Sequence, residues 1–411
     1  MKSILANESR YLIGPAYASK YTSYEPDGYL NLGGTNERAV RLPGMTAVTV
    51  ATALKLGVYD SRNLSESNAT IRLMNLIKTI AARHMSNNTN TSTRWGHGWQ
   101  TALWAYYDGV AAWLMWDKLS TTDRDKVVNM LVDEAKRLTT GNDVYLIGTS
   151  GNQLYETRRD GTAVTPGDSK TEENQWSAAL LGLTLSMMPT HPDAAAWSTR
   201  YKQLAVSATA KPADLRGRST VNGITLSTWL QGHNIANDGT LENHGFLHPL
   251  YMIVDQGLYE ATVNGLAGTC APNAAKHNVA LMYSALVDKQ FPASGGGTKT
   301  IYTPGSYEVH YPEGNDWGTE FPMYFGGFDQ LVSLFGLDST VSTPAATWEK
   351  LHNDRQIALQ ARHTDGRTYG SLTENNYYGR EQRVGVISAL TYLTTWLVNN
   401  SGGNKTCWTN S

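Results

Sequence analysis

Two kinds of helical pattern alternate along this 411-residue chain, and the alternation limits the fold more than any other feature. Segments of the first kind are amphipathic with one charged face, and they are 66–85, 121–138 and 346–361. Segments of the second kind are apolar or aromatic nearly all round, and they are 98–118, 171–188, 244–262 and 380–398. A helix that is apolar on every side must be buried on every side. The pattern therefore predicts inner helices enclosed by amphipathic outer ones.

Inner and outer helices joined as hairpins form an all-α α/α toroid, either an incomplete or a complete barrel of six hairpins. Further helical periodicity covers 44–57, 192–208, 274–288 and 317–336, whereas strand-like alternation is short and limited to 143–147 and 298–302. A stacked solenoid is the structural alternative, but no fixed repeat length supports it. We predict a single domain over residues 1–411, with an N-terminal extension over about 1–40 and a short tail over about 400–411.

Charge and aromatic content narrow the classes of ligand. A net charge of −2 gives no electrostatic case for nucleic acid, and no apolar run is long enough to span a membrane. The chain has 12 Trp and 22 Tyr against 6 Phe. Trp and Tyr combine an apolar face with a polar edge, which suits the C–H faces and hydroxyls of sugar rings. Ordinary core and rim aromatics are the plainer explanation of the same composition.

Glycosylation signals and cysteines indicate whether the protein is secreted or stays inside the cell. Asn-x-Ser/Thr sequons begin at Asn7, Asn63, Asn68, Asn87, Asn90, Asn399 and Asn404. They favour an exported glycoprotein, and we expect a secreted enzyme. Cys270 and Cys407 are compatible with a disulfide or with two free thiols. Because no Cys/His cluster is present, we expect neither a metal nor another cofactor.

Five segments combine polar and aromatic residues at the start of predicted inner helices, and they are 94–99, 171–176, 237–251, 311–320 and 377–381. Inner helices of a toroid point the same way, so these segments are predicted to surround one cleft. The candidate substrate-binding residues are Arg94, Trp95, His97, Trp99, Glu173, Trp176, Asn243, His248, Tyr311, Asp316, Trp317, Glu320, Tyr378 and Arg380.

Two reactions on sugars fit these residue types. β-Elimination at a uronic acid needs a group that neutralises the carboxylate, a base for the α-proton and an acid for the leaving oxygen. Asn174, Asn243, His244 and Tyr251 supply such groups. Hydrolysis needs two carboxyls facing each other across the bond. The candidate carboxyls are Glu172, Glu173, Asp238, Glu242, Glu313, Asp316 and Glu320.

A family resemblance favours elimination. The run Asp238-Gly-Thr-Leu-Glu-Asn-His-Gly245, followed by Tyr251, resembles a motif of the chondroitin, hyaluronate and xanthan lyases and the Asn-His-Gly of heparinase II/III-like and alginate lyases. Glu173-Asn-Gln-Trp176 is similar to their Asn-Trp helix. The resemblance implies an α/α-toroid catalytic domain. It also implies that Asn174 neutralises the carboxylate, that His244 is a base or second neutraliser and that Tyr251 is the acid or acid/base.

The motif also departs from that family in two places. Gln175 separates the Asn from the Trp, and Tyr251 follows the His by seven residues, slightly sooner than the chondroitin-lyase type expects. Tyr302, Tyr307 or Tyr311 is an alternative acid/base.

From the sequence we expect a lyase that cleaves a uronic-acid-containing polysaccharide, with Asn174, His244, Tyr251 and Glu242 as catalytic candidates. A glycoside hydrolase on the same scaffold is the runner-up. A non-catalytic glycan-binding toroid is the third possibility, in which aromatics line the cleft but no acid/base pair converges. Separately, His244 at a helix start could be an ordinary core histidine.

Overall fold

The computed structural model describes residues 1–140, 154–253 and 256–400. The chain is mostly helical and its strands are all short, so the predicted all-α class is confirmed. The α-helices are α1 (Lys2–Tyr11), α2 (Tyr17–Lys20), α3 (Glu37–Lys55), α4 (Glu66–Arg83), α5 (Thr101–Leu114), α6 (Thr121–Thr139), α7 (Thr171–Met187), α8 (Ala194–Ala208), α9 (Leu226–Trp229), α10 (Pro249–Met252), α11 (Gln256–Leu266), α12 (Val279–Val287), α13 (Pro322–Leu334), α14 (Ala345–Gln360) and α15 (Arg380–Asn400). None of those within the described ranges is long and apolar enough to cross a membrane.

The strands form isolated two-residue antiparallel pairs. They are β1 (Thr157–Arg158) with β4 (Gly232–His233), β2 (Thr220–Val221) with β3 (Ile224–Thr225), β5 (Glu242–Asn243) with β6 (Phe246–Leu247), and β7 (Phe291–Pro292) with β8 (Thr298–Lys299). The expected strand at 298–302 is thus reduced to β8, and the one at 143–147 lies outside the described residues.

Five helices form a closed series of contacts. α3 packs on α5, α5 on α7, α7 on α11, α11 on α15, and α15 on α3 again. The amphipathic helices α4 and α6 cover α3 and α5 from outside, and α8 covers α7. The buried face of α4 is the predicted apolar stripe, with Leu73, Leu76, Ile77 and Ile80 fully buried. Burial of such stripes is what stabilises helices of this length in water.

The N-terminal segment belongs to the core. α1 packs on α3, α14 and α15, and Ile4, Leu5 and Ile13 are fully buried. The part of this segment from Ile4 to Tyr17 therefore packs into the core, whereas most residues from 21 to 38 are exposed. α3 also begins earlier than periodicity indicated, because the Asn36 side chain accepts hydrogen bonds from the backbone N–H groups of Arg38 and Ala39 and caps the helix there.

The predicted helix over 244–262 is wrong in its first half. Residues 242–247 form the β5–β6 hairpin, Pro249 opens the single turn of α10, and the longer helix begins at Gln256. The hairpin turn is His244-Gly245, with φ of 56° and 83°. Positive φ at both central residues is what a type I′ two-residue turn requires.

Candidate active site

A cavity of about 200 Å³ lies where the first turns of α5, α7 and α15 approach the β5–β6 hairpin. All five polar-aromatic segments contribute to its lining. Trp99 comes from the first segment, Trp176 from the second, Tyr251 from the third, Trp317 from the fourth and Tyr377 from the fifth. The segments therefore meet at one cavity, as their position at helix starts predicted.

Two loops hold the hairpin at the edge of this cavity. On one side, the Gly245 N–H donates to the Gly167 carbonyl at 2.8 Å, and a Cβ on Gly167 would lie 2.9 Å from the Gly245 Cα. The buried Asn243 amide donates to the Ser169 carbonyl at 3.0 Å. On the other side, a Glu313 carboxylate oxygen accepts from the Leu247 N–H at 2.6 Å. The tip of the hairpin is thus clamped in position.

A hydrogen-bonded relay runs from the loop before α13 to the cavity. Nδ1 of His244 lies 2.7 Å from Oδ2 of Asp316, and Nε2 of His244 lies 3.1 Å from the Tyr251 hydroxyl. Because Asp316 accepts from Nδ1–H, the Nε2 lone pair is directed at the Tyr251 O–H. This order of carboxylate, imidazole and hydroxyl is the arrangement in which a carboxylate orients a general base.

The relay residue His244 has an unusual backbone conformation for its type. A φ of 56° is left-handed, a region that non-glycine residues seldom occupy and that costs about 1–2 kcal/mol per residue. The surrounding loops hold this conformation. An outlier of this kind, observed at the wall of a cavity, favours a functional role for the side chain.

Burial controls the protonation of the two groups next to His244. The pKa of Tyr251 is raised above its ordinary value because burial and then the nearby Glu172 carboxyl disfavour the phenolate. The pKa of His248 is lowered to about 4, because burial outweighs the attraction of Asp316, whose Oδ1 lies 3.3 Å from Nε2. Tyr251 therefore keeps its proton at neutral pH, and His248 is uncharged.

Cationic groups face the relay from α3 and α15. The Arg41 guanidinium donates to the Tyr377 hydroxyl at 2.7 Å and to the Gln100 side chain at 3.1 Å, and it pairs with Glu37 at 2.5 Å. Arg383 in the first turn of α15 also lines the cavity. Sequence reasoning missed both arginines, since α3 was placed too late and Arg383 sits inside an ordinary-looking helix start.

Aromatic rings form the cavity walls. Trp99, which is 56% exposed, meets Trp176 at 5.9 Å between ring centroids. Trp317 meets Tyr251 at 5.4 Å and Tyr377 at 4.9 Å. Such rings offer flat apolar faces with polar edges, which suits a ligand that is itself both apolar and hydroxylated.

A buried carboxyl also reaches the cavity. Glu172 is 4% exposed, and its pKa is raised well above the ordinary value by burial and then by the neighbouring Glu173 carboxyl. Glu173 accepts from the Trp99 indole N–H and from the Lys170 ammonium, both at 3.3 Å. Burial therefore disfavours the ionised form of Glu172, and Glu173 is held by two donors.

The Asn174 side chain bonds to backbone groups, whereas the family resemblance implied that it binds a substrate carboxylate. Its side chain is fully buried, and its amide donates to the Leu154 and Lys170 carbonyls at 2.8 Å each. Its oxygen accepts from the Leu154 N–H at 3.3 Å. These hydrogen bonds join the loop at Leu154 to the start of α7, and Asn174 is absent from the cavity lining.

The segment before α5 contributes Trp99 to the cavity and directs its other predicted residues elsewhere. The Trp95 ring is buried, and its N–H donates to the Ile80 carbonyl at 2.9 Å. Nε2 of His97 lies 2.7 Å from the Asp133 carboxylate on α6, outside the cavity. Arg94 is half-buried and does not line the cavity either.

Two more predicted residues line a separate pocket. Tyr311 and Glu320 border a cavity of about 350 Å³ whose lining shares no residue with the first cavity. Glu320 forms an ion pair there with Arg355 of α14, and one of its hydrogen bonds spans 3.1 Å. These residues are therefore not partners of the relay.

The remaining candidates do not line the cavity. Tyr378 is exposed and stacks under the Arg38 guanidinium at 3.9 Å, and Arg380 donates to the Ser371 and Asn375 carbonyls. The Glu242 side chain is exposed on β5 and is absent from the cavity lining. Glu242 is thus placed away from the relay, although it was a catalytic candidate.

No known family, curated protein or solved structure matches this chain. Cys270 is disulfide-bonded, which decides between the two states that the sequence allowed for it, while Cys407 lies outside the described residues.

Proposed function

We propose that this protein is a lyase that cleaves a uronic-acid-containing polysaccharide by β-elimination. The observation that carries the proposal is the Asp316–His244–Tyr251 relay at the wall of an aromatic cavity that also contains two arginines. The relay supplies a base and an acid, and the arginines supply positive charge for a carboxylate.

The proposed scaffold is an α/α toroid formed by one domain. Two observations support it: the contact series of α3, α5, α7, α11 and α15 returns to its starting helix, and amphipathic helices cover that series from outside. In such a scaffold the helix starts share one end. This arrangement accounts for a single cavity lined by five distant segments of the chain.

The proposed reaction assigns one step to each group. Arg383 and Arg41, which exchanges its ion pair with Glu37 for the substrate, pair with the substrate carboxylate and make the proton at C5 more acidic. His244 Nε2 takes that proton, the C4=C5 bond forms, and the C4–O4 bond breaks. The Tyr251 O–H donates its proton to the departing O4. Asp316 stabilises the imidazolium that forms on His244.

The relay then resets itself. After the product leaves, the imidazolium returns its proton across the 3.1 Å hydrogen bond to Tyr251. The raised pKa of Tyr251 favours this direction of transfer, because burial keeps the phenol neutral at rest. No net proton is lost or gained by the protein over one cycle.

The short distance between base and acid has a stereochemical consequence. Two atoms 3.1 Å apart act on the same face of the sugar ring, which is a syn elimination. In 4-linked D-glucuronate and D-mannuronate, H5 and O4 are placed for a syn elimination. In L-guluronate and D-galacturonate they are anti. We therefore propose a substrate with D-glucuronate or D-mannuronate units.

Hydrolysis is the second candidate function, and the observation that favours it is the buried Glu172 carboxyl in the cavity lining. Burial raises the pKa of this cavity carboxyl, which favours the protonated form that a general acid requires. Hydrolysis also needs a second carboxylate across the bond. Asp316 is committed to two imidazoles, which makes elimination the better-supported reaction.

Export is part of the proposal. A disulfide at Cys270 is typical of an oxidising compartment, and the sequons are compatible with a secreted glycoprotein.

The test is incubation with D-glucuronate, D-mannuronate, D-galacturonate and L-guluronate polymers while ultraviolet absorbance and reducing ends are both followed. Elimination raises both signals, because the new C=C bond is conjugated to the carboxylate. Hydrolysis raises reducing ends alone. We expect absorbance to rise with a syn substrate, to be lost in Tyr251→Phe and to survive in Glu172→Gln. Reducing ends without absorbance, lost in Glu172→Gln, would replace the lyase with a hydrolase.

A further inference from the structure

Three metal-ligating side chains converge beside the cavity. One ligand atom each from His244, His248 and Asp316 lies within 4.8 Å of the others. The closest approaches are 2.7 Å between His244 Nδ1 and Asp316 Oδ2 and 3.3 Å between His248 Nε2 and Asp316 Oδ1. In the part of the chain that the structure describes, no other three His, Cys, Asp or Glu residues converge in this way.

We propose that His244, His248 and Asp316 form a binding site for one divalent transition-metal ion of the Zn²⁺ class, with a fourth position open to the cavity. Two imidazoles and one carboxylate with an open position are the ligand set of catalytic zinc sites. Ca²⁺ and Mg²⁺ prefer sites made of oxygen ligands, so imidazole nitrogens disfavour them.

The distances are close to those that a tetrahedral ion requires. Zn–N and Zn–O bonds of about 2.0–2.1 Å place neighbouring ligand atoms roughly 3.4 Å apart. Asp316 Oδ1 lies 3.3 Å from His248 Nε2, which already fits, whereas the other oxygen, Oδ2, lies 2.7 Å from His244 Nδ1. For one oxygen to serve the ion, the carboxylate must turn and move away from His244 by several tenths of an ångström. Asp316 lies on an exposed loop and can make this shift, while the fully buried His248 is the fixed ligand.

Tyr251 completes the outer shell of the site. When the ion binds Nδ1 of His244, the ring carries its proton on Nε2. That N–H then donates to the Tyr251 oxygen at the existing 3.1 Å separation. A ligating histidine commonly donates its second ring N–H to an oxygen acceptor, which fixes the tautomer.

Metal binding and the catalytic relay exclude each other. Both use the Nδ1 of His244, and the metal-bound ring has no lone pair at Nε2 to accept the C5 proton. The ion is therefore an inhibitor of the elimination, and the metal-free protein, prepared by treatment with a chelator, is the active form. This consequence rests on the proposed function, but the binding of the ion does not.

The test is titration of chelator-washed full-length protein with Co²⁺, followed by the visible absorption of tetrahedral cobalt, without substrate. We expect one Co²⁺ per chain in the wild type and at least about tenfold weaker binding in Asp316→Asn. The matched control is Asp133→Asn, which removes the carboxylate of the His97–Asp133 pair, also 2.7 Å apart but without a third ligand. Its Co²⁺ affinity should equal that of the wild type.

Several outcomes would overturn the metal site. They are the absence of a cobalt band at millimolar Co²⁺, Asp316→Asn binding as tightly as wild type, or an equal loss in Asp133→Asn. Circular dichroism of each variant establishes that it is folded. Co²⁺ binding by a protein that never cleaves a uronate polymer would leave the site standing and remove the lyase. Cleavage without any Co²⁺ binding would do the reverse.

Discussion

Replacing His244 by Asn separates the chemistry of this residue from its backbone conformation. His244 has φ 56° at the first central position of the hairpin turn. Alanine there would combine loss of the imidazole with left-handed strain, whereas Asn tolerates this conformation and Asn-Gly is a favoured type I′ pair. The variant His244→Asn therefore tests the imidazole alone.

The stability change should be small because its contributions oppose each other. Relief of the left-handed strain contributes about 1 kcal/mol. Loss of the hydrogen bond with Tyr251 removes about 1 kcal/mol. Loss of the pair with Asp316 removes less than about 1 kcal/mol more, because the two side chains are 36% and 44% exposed. We expect the free energy of unfolding to change by less than about 1 kcal/mol.

Activity should respond very differently. Loss of the base should lower the rate of ultraviolet-absorbing product by at least about 10²–10⁴-fold. Denaturant unfolding of wild type and His244→Asn gives the stability difference, and initial rates on a glucuronate polymer give the activity difference. A loss of several kcal/mol, the range for a damaged core, would make His244 a structural histidine and refute the reasoning. So would a variant that keeps wild-type activity.

Three further predictions concern the acid, the cation and an outlying ion pair. Tyr251→Phe keeps the ring packing, so steady-state kinetics should show kcat falling at least about 10²-fold while KM changes little. Arg41→Gln should raise KM by about 10–100-fold, the equivalent of 1.5–3 kcal/mol of charge-assisted hydrogen bonding, while the exposed control Arg62→Gln leaves KM unchanged. The hydrogen bond to Asp133 raises the pKa of His97, so this pair stabilises the fold fully below the ordinary histidine pKa of about 6.5 and loses that effect as pH rises through the folded pKa. At about pH 6, wild type should therefore be more stable than Asp133→Asn by no more than about 1 kcal/mol in unfolding free energy. This difference should vanish by about pH 9. A difference that grows with pH would contradict the assignment of this stability to protonated His97.

Local signals predicted the amphipathic helices well. Apolar spacing placed α4, α6 and α14 within about two residues of their ends, and Ser65 and Ser120 cap the first two through their side-chain oxygens. These features depend on residues three or four apart, so they are visible in the chain itself. The meeting of distant segments at one cavity was predicted from their shared position before the predicted inner helices, and the cavity lining confirms the meeting.

Other parts of the site depended on tertiary contacts that periodicity does not encode. The apolar residues after His244 have the composition of a helix start, but Gly167 and Glu313 hold them as a hairpin. Asn174 has the residue type of a substrate ligand, and only its backbone partners show that it is structural. Arg41 was missed because the burial of α1 and α3 against α15 joins residues far apart in sequence.

The most direct test of the central claim is cleavage of a glucuronate polymer, followed by mass spectrometry of the new non-reducing ends. Elimination adds no water, so we predict an unsaturated end that is lighter than a hydrolytic end by one water. A saturated non-reducing end at each cleaved bond, heavier by one water, would contradict elimination and assign the cavity to hydrolysis.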